Sequence, residues 1–92
     1  MIKRIVKLTI QPGKENHFKS LFTNNKSKIL LFDGCTYVEL LQDVEESNIF
    51  FTYSKWEDIE KLNLYRNSEL FRNIWSKVKV IFAEKPEAWS LN

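Results

Sequence analysis

The run "FFTYSKW", residues 50–56, places Phe50, Thr52, Ser54 and Trp56 at every second position. A strand here therefore carries a phenyl ring, two hydroxyls and an indole on one face. The chemistry of such a row is stacking and proton donation, not nucleophilic attack. A phenol follows at Tyr65 and a second indole at Trp75. His17 is the only histidine, and an unperturbed imidazole titrates near neutrality, which makes it a candidate proton acceptor. One His, one Cys and scattered acids do not supply three or four metal ligands at helical or turn spacing. The two glycines, Gly13 and Gly34, build no phosphate loop. No metal or cofactor is expected. Cys35, the lone cysteine, excludes an internal disulfide and reads as a small buried hydrophobe.

The elements that must position these residues follow from hydrophobic period. Residues 2–10 alternate, with Ile2, Arg4, Val6, Leu8 and Ile10 on one face and Lys3, Ile5, Lys7 and Thr9 on the other. Pro12 and Gly13 break this strand, and a helix follows with Phe18, Leu21, Phe22, Ile29 and Phe32 at helical spacing up to Asp33-Gly34. Residues 35–43 and 48–56 form two strands of an antiparallel hairpin across a polar turn. A helical region opens at Trp56-Glu57-Asp58 and divides near Arg66-Asn67-Ser68, where Ser68 fits an N-cap. Its second part carries Leu70, Phe71, Ile74, Trp75, Val78, Ile81 and Phe82 on one stripe. The terminal "AWSLN" is long enough for a closing strand. The order strand, helix, strand, strand, helix, strand predicts an α+β, ferredoxin-like fold: a four-stranded antiparallel sheet with its helices on one face.

The other face of that sheet is not polar. Ile5, Tyr37, Leu41, Phe51 and Tyr53 all point to it, beside Lys7 and Glu39, which are of opposite charge and expected to pair. A second copy of the sheet is the economical cover, so a homodimer through this open face is predicted. With 92 residues the chain is expected to form one domain, residues 1–92, since it buries only roughly 60–65% of its unfolded surface. At 43% hydrophobic and 14% aromatic it folds without staples. Fourteen basic and twelve acidic residues are interspersed, with a net charge of +2, so no nucleic-acid partner is expected. Lys3, Arg4 and Lys7 interrupt the first apolar run, which excludes a signal core or membrane span there and predicts a cytoplasmic protein.

Five segments in order, "IQPGKENHF", "DGC", "FTYSKWED", "NSELFRNIW" and "PEAWSL", together resemble the antibiotic biosynthesis monooxygenase family of dimeric α+β barrels. The resemblance spans essentially the whole chain. It implies a pocket between the helices and the helix-facing side of the sheet, lined by Phe50, Thr52, Ser54 and Trp56. Members include cofactor-free oxygenases of hydroquinone-like or polycyclic aromatic substrates, haem-degrading enzymes, and an isomerase of a small phosphorylated signal. The chain departs from the family where a Glu often stands at Ser54, a His at Tyr65 and an amide at Thr52. Val6 and Trp75 stand nearest the Asn and His of the haem-degrading branch, so an axial ligand is missing.

The resemblance thus implies a cofactor-free monooxygenase acting on a quinol-type or polycyclic aromatic molecule. Trp56, Tyr65 and Thr52 are the expected catalytic groups, and Phe50, Ser54, Trp75 and His17 the expected substrate contacts. Two rival readings carry the same fold: a non-catalytic binding or stress-associated dimer, and an isomerase of a small polar metabolite. The latter needs a basic cluster in the pocket, for which Arg4 is the candidate.

Overall fold

Where the hydrophobic period is two the chain extends, and where it lengthens toward four the chain coils. The computed structural model describes residues 1–92. In chain order it contains β1 (Ile2–Thr9), α1 (Glu15–Leu30), β2 (Cys35–Gln42), β3 (Ile49–Trp56), α2 (Ile59–Arg66), α3 (Glu69–Val78), a 3-10 turn at Lys79–Ile81, and β4 (Glu87–Leu91). The four strands form one antiparallel sheet in the order β2-β3-β1-β4. This is the ferredoxin-like arrangement, with the second helical segment split in two. No helix is long and apolar enough to cross a membrane.

The split has a local cause at each end. Asp58, extended and outside the helix, accepts the Lys61 amide at 2.9 Å and starts α2. Trp56 and Glu57 accordingly precede the helix that was expected to open on them. Ser68 does the same for α3, accepting from the Phe71 amide at 3.1 Å while its hydroxyl donates to the Tyr65 carbonyl at 2.6 Å. One serine thus ends one helix and begins the next. The stripe beyond Val78 is not one helix either, because the chain tightens into the 3-10 turn and is extended at Phe82. Phe82 nevertheless packs edge-on to Trp75, with ring centroids 5.3 Å apart.

Helix α1 stops at Leu30, two residues short of the expected Phe32. Phe32 instead occupies the following turn, which Gly34 completes with φ of +92°. Gly34 is fixed by two constraints: its backbone lies in a region L side chains avoid, and a Cβ there would collide with Cβ and Cγ of Lys61 on α2. Its carbonyl also accepts the Glu57 amide at 2.8 Å. The chain passes here with no room for a methyl group, and Lys61 reaches on to pair with Asp33.

The core lies between the sheet and the helices, where Leu8, Ile10 and Phe50 meet Phe18, Val78 and Ile81. Register confirms the two faces of β1: Ile5 sits opposite Tyr53 and Trp89, and Lys7 opposite Phe51 and Glu87. The face away from the helices therefore joins Ile5, Tyr37, Leu41, Phe51 and Tyr53 to Trp89, with Tyr37, Leu41 and Trp89 exposed. Lys55 lies over Tyr37 and Tyr53 at 5.3 and 5.8 Å from their ring centroids. One expectation is corrected: Lys7 pairs with Glu87 on β4, at 3.9 Å, and not with Glu39. Glu87 is its direct cross-strand neighbour, whereas Glu39 lies on β2, beyond β3.

Gly34→Ala is expected to lower stability by about 2 kcal/mol or more, combining the left-handed penalty with the clash. Gly13→Ala carries only the first term, about 1 kcal/mol, because nothing lies within 4 Å of its added Cβ despite φ of +94°. Urea unfolding of the two variants side by side checks the difference.

Candidate functional site

Cross-strand register sets the floor of the site. On the helix-facing side of the sheet, Arg4 lies between Ser54 and Ser90, and the adjacent row places Val6 between Thr52 and Ala88. Val38 and Leu40 continue these rows onto β2. Above the floor is a cavity of about 590 Å³, within the range of about 300–1,000 Å³ typical of small-molecule sites. Phe18, Leu21 and Ile29 wall it from α1, Leu62 and Tyr65 from α2, and Phe71, Ile74 and Trp75 from α3. The floor carries the polar strip Thr52, Ser54 and Arg4; the roof is mostly apolar and aromatic, with Asn25, Arg66 and Asn67 as its polar members.

Five of the seven expected site residues border this cavity: Thr52, Ser54, Trp56, Tyr65 and Trp75. Trp56 is almost wholly buried, at 1% exposure, and its indole N–H donates to Ser54 Oγ at 3.0 Å. One face of its ring is covered by Tyr65, with centroids 4.9 Å apart and planes 29° from parallel. Trp56 therefore forms the end wall behind Tyr65, and its N–H is already engaged. From Tyr65 the rings continue edge-on to Phe71 at 5.3 Å, then stacked from Phe71 to Trp75 at 5.6 Å.

Phe50 and His17 lie elsewhere. Phe50 is fully buried beneath the cavity, its ring 4.9 Å from that of Phe18, and does not border the open space. Alternation set its face correctly, but Leu8 and Phe18 cover it. His17 is exposed on the outer side of α1, since Phe18 at the next position points inward and successive helical side chains diverge by roughly 100°.

Among the polar residues of the cavity, Asn25, Arg66 and Asn67 were absent from the expected set. Arg66 follows Tyr65 at the end of α2, and Asn67 is its C-cap. The signal was the spacing Leu62, Tyr65, Arg66, which puts all three on one side of a helix. It was obscured because α2 is short and its exposed face carries Leu64. Arg4, placed on this face by alternation, is half-buried and donates to Ser90 Oγ at 2.9 Å.

Burial pushes the Tyr65 phenol well above its ordinary value, reinforced by nearby Cys35. Tyr65 lines the cavity, and no hydrogen bond contributes to the shift of its phenol. Cys35, expected to be buried, is half-buried: its thiol donates to the Tyr37 carbonyl at 3.6 Å, and partial burial raises it above its ordinary value. Neither Asp, Glu nor His borders the cavity. Tyr65 is the one tyrosine that borders it.

The raised phenol has a consequence for stability. The unfolded chain loses the Tyr65 proton near the ordinary value of 10.0, before the folded chain does. Above that pH the native state binds more protons, so stability falls as pH rises. Tyr37, Cys35 and Lys61 are raised too and contribute in the same direction. Tyr65→Phe is therefore expected to flatten, but not abolish, the alkaline decline, as urea unfolding between about pH 9 and 11 would measure.

The sequence pattern of the antibiotic biosynthesis monooxygenase family matches residues 1–76. Among solved structures, a conserved protein from Methanosarcina mazei Go1 superposes with a TM-score of 0.93 at 21% identity, over 99% of this chain and 90% of that one. A candidate antibiotic biosynthesis monooxygenase from Nitrosomonas europaea gives 0.92 at 16%, over 100% and 97% of the chains. Another from Bordetella bronchiseptica gives 0.90 at 24%, over 99% and 94%. At these identities the likeness is one of fold. No curated protein matches the sequence. The family pattern covers most of the chain, including β1, the hairpin and Trp56, Tyr65 and Trp75: the chain belongs to the antibiotic biosynthesis monooxygenase family.

Proposed function

We propose that this protein is a cofactor-free monooxygenase of a quinol-type or polycyclic aromatic molecule. The observation that carries this reading is the cavity of about 590 Å³, walled by aromatic rings and bordered by the hydroxyl-bearing residues Tyr65, Thr52 and Ser54. Such a reaction needs a flat apolar slot, a proton donor or acceptor beside the phenolic oxygen, and shelter from water. An anthrone-like substrate loses a proton, and the resulting anion passes one electron to dioxygen. The two radicals combine as a ring-carbon hydroperoxide, which loses water to leave a new carbonyl. One oxygen atom enters the product; the other leaves in water with the two hydrogens of the original methylene.

Tyr65 and Thr52 are the groups that touch the reacting oxygen in this scheme. Ser54 and Trp56 act through Tyr65: the hydrogen bond between them fixes the indole plane, and the indole fixes the phenol. Trp75 and Phe71 supply the flat surface. Phe50 supports the floor from below, and His17 has no part.

Dioxygen uptake by metal-free protein against hydroquinones and anthrone-like phenols tests the reading. Uptake above the spontaneous rate is expected, with Tyr65→Phe and Thr52→Val each lowering kcat by about 100-fold. Silence across the panel would overturn it in favour of a non-catalytic binding protein. That second reading has its own observation, since no carboxylate or imidazole borders the cavity.

The working form in this proposal is a homodimer. Tyr37, Leu41 and Trp89 are exposed on the sheet face opposite the helices, beside Ile5, Phe51 and Tyr53, and a second sheet would cover them. Sedimentation at micromolar concentration is expected to give twice the chain mass, and Trp89→Glu to shift the species toward the monomer. A monomeric parent protein would contradict this assignment.

A further inference from the structure

Two guanidiniums border the cavity with no acid between them. Arg4 rises from the centre of the floor, and Arg66 closes the last turn of α2 directly after Tyr65. The ion pairs of the protein join Lys7 to Glu87 and Lys61 to Asp33, and neither arginine takes part. Arg66 lies at the exposed rim; Arg4 is half-buried, and its one side-chain partner is the Ser90 hydroxyl. A guanidinium presents five N–H donors in a planar fork, so one serine leaves most of them unmet. Like charges facing a common apolar space repel, and an anion placed between them relieves the repulsion. Consistent with this placement, burial and then the charge of Arg66 lower the pKa of Arg4.

We propose that Arg4 and Arg66 form an anion-binding subsite and that the cavity takes a planar aromatic acid, with its carboxylate between the two guanidiniums. The rings of such a ligand run along Thr52 and Val6 toward Phe71 and Trp75, where the walls are apolar. A small polar metabolite fits less well, because 15 of the 22 lining residues are hydrophobic. The inference rests on the aromatic slot of the proposed function but not on its oxidative chemistry.

Calorimetric titration with 1-naphthoate and with 1-naphthalenemethanol, which share a ring system and differ in charge, tests it. The protein is expected to bind 1-naphthoate about 10-fold more tightly. Arg4→Gln should remove most of that preference while changing 1-naphthalenemethanol binding by less than about 2-fold. Arg66→Gln, at an exposed position that tolerates substitution, should weaken 1-naphthoate by about 3-fold. Lys28→Gln, at an exposed position of α1 away from the cavity, should change neither probe. Equal affinity for the probes, no binding of 1-naphthoate, or parallel loss of both in Arg4→Gln would overturn the subsite. Loss of 1-naphthoate in Lys28→Gln would show that general positive charge and not the two arginines sets the preference, and would overturn it equally. Charge preference without dioxygen uptake would remove the oxygenase reading and leave the subsite standing; uptake without charge preference would do the reverse.

Discussion

The hydrogen bond from the Trp56 indole to Ser54 Oγ is the contact on which the site depends. A buried N–H without an acceptor costs about 1–3 kcal/mol. Strand alternation supplies the acceptor without any tertiary accident, because Ser54 lies two residues back on the same face. With the indole held, Tyr65 stacks on it and Phe32 meets both rings edge-on, at 6.3 Å from Trp56 and 5.4 Å from Tyr65. These contacts join the end of β3, the turn after α1 and helix α2. Gly34 permits the same approach from the backbone side, where any Cβ would meet Lys61.

From that anchor the aromatic rings support one another across the roof, from Tyr65 through Phe71 and Trp75 to Phe82. Rings in mutual contact add about 0.5–1.5 kcal/mol per pair beyond their burial, and each restricts its neighbour's rotation. The cavity has a physical reason to persist. Its roof cannot fold inward without breaking stacked pairs, and its floor cannot rise because β1 is held by ladders on both sides. The result is a slot with mostly apolar walls and a polar strip along two adjacent rows of the sheet. A ligand with an apolar body and a polar edge has one favourable orientation in it.

Much of this was legible in the sequence because period two and helical spacing report directions. Alternation assigned both faces of β1 and grouped Thr52, Ser54 and Trp56, and Ser68 marked the division between α2 and α3. What it cannot report is depth. Phe50 shares its face with Thr52, yet lies under Leu8 and Phe18, a burial decided by elements far apart in the chain. His17 shows the same limit in a helix, where one position separates a core phenylalanine from an exposed imidazole. Arg66 was hidden for another reason: α2 is too short and too mixed on its outer face for a clear apolar stripe. Lys7 found Glu87 because β4 lies beside β1, a fact of strand order that residue type alone does not carry.

The cavity lacks a strong base, and this constrains the chemistry it can host. Oxidation by dioxygen without a cofactor proceeds through the anion of the substrate, which gives up an electron more readily than the neutral phenol. A carboxylate or imidazole reaches that anion by taking the proton. A cation reaches it by another route, since a positive charge within about 4–6 Å favours the ionised form of an acid and lowers its pKa. Arg4 stands in the same floor row as Ser54, beside the row of Thr52, and in the proposed reaction would act so only on a substrate whose carboxylate it does not already hold. Tyr65, whose phenol resists ionisation, then serves as donor to the anion rather than as acceptor from the acid. In the proposed reaction, a site of cations and neutral donors stabilises a phenolate that no residue of the cavity is basic enough to generate alone.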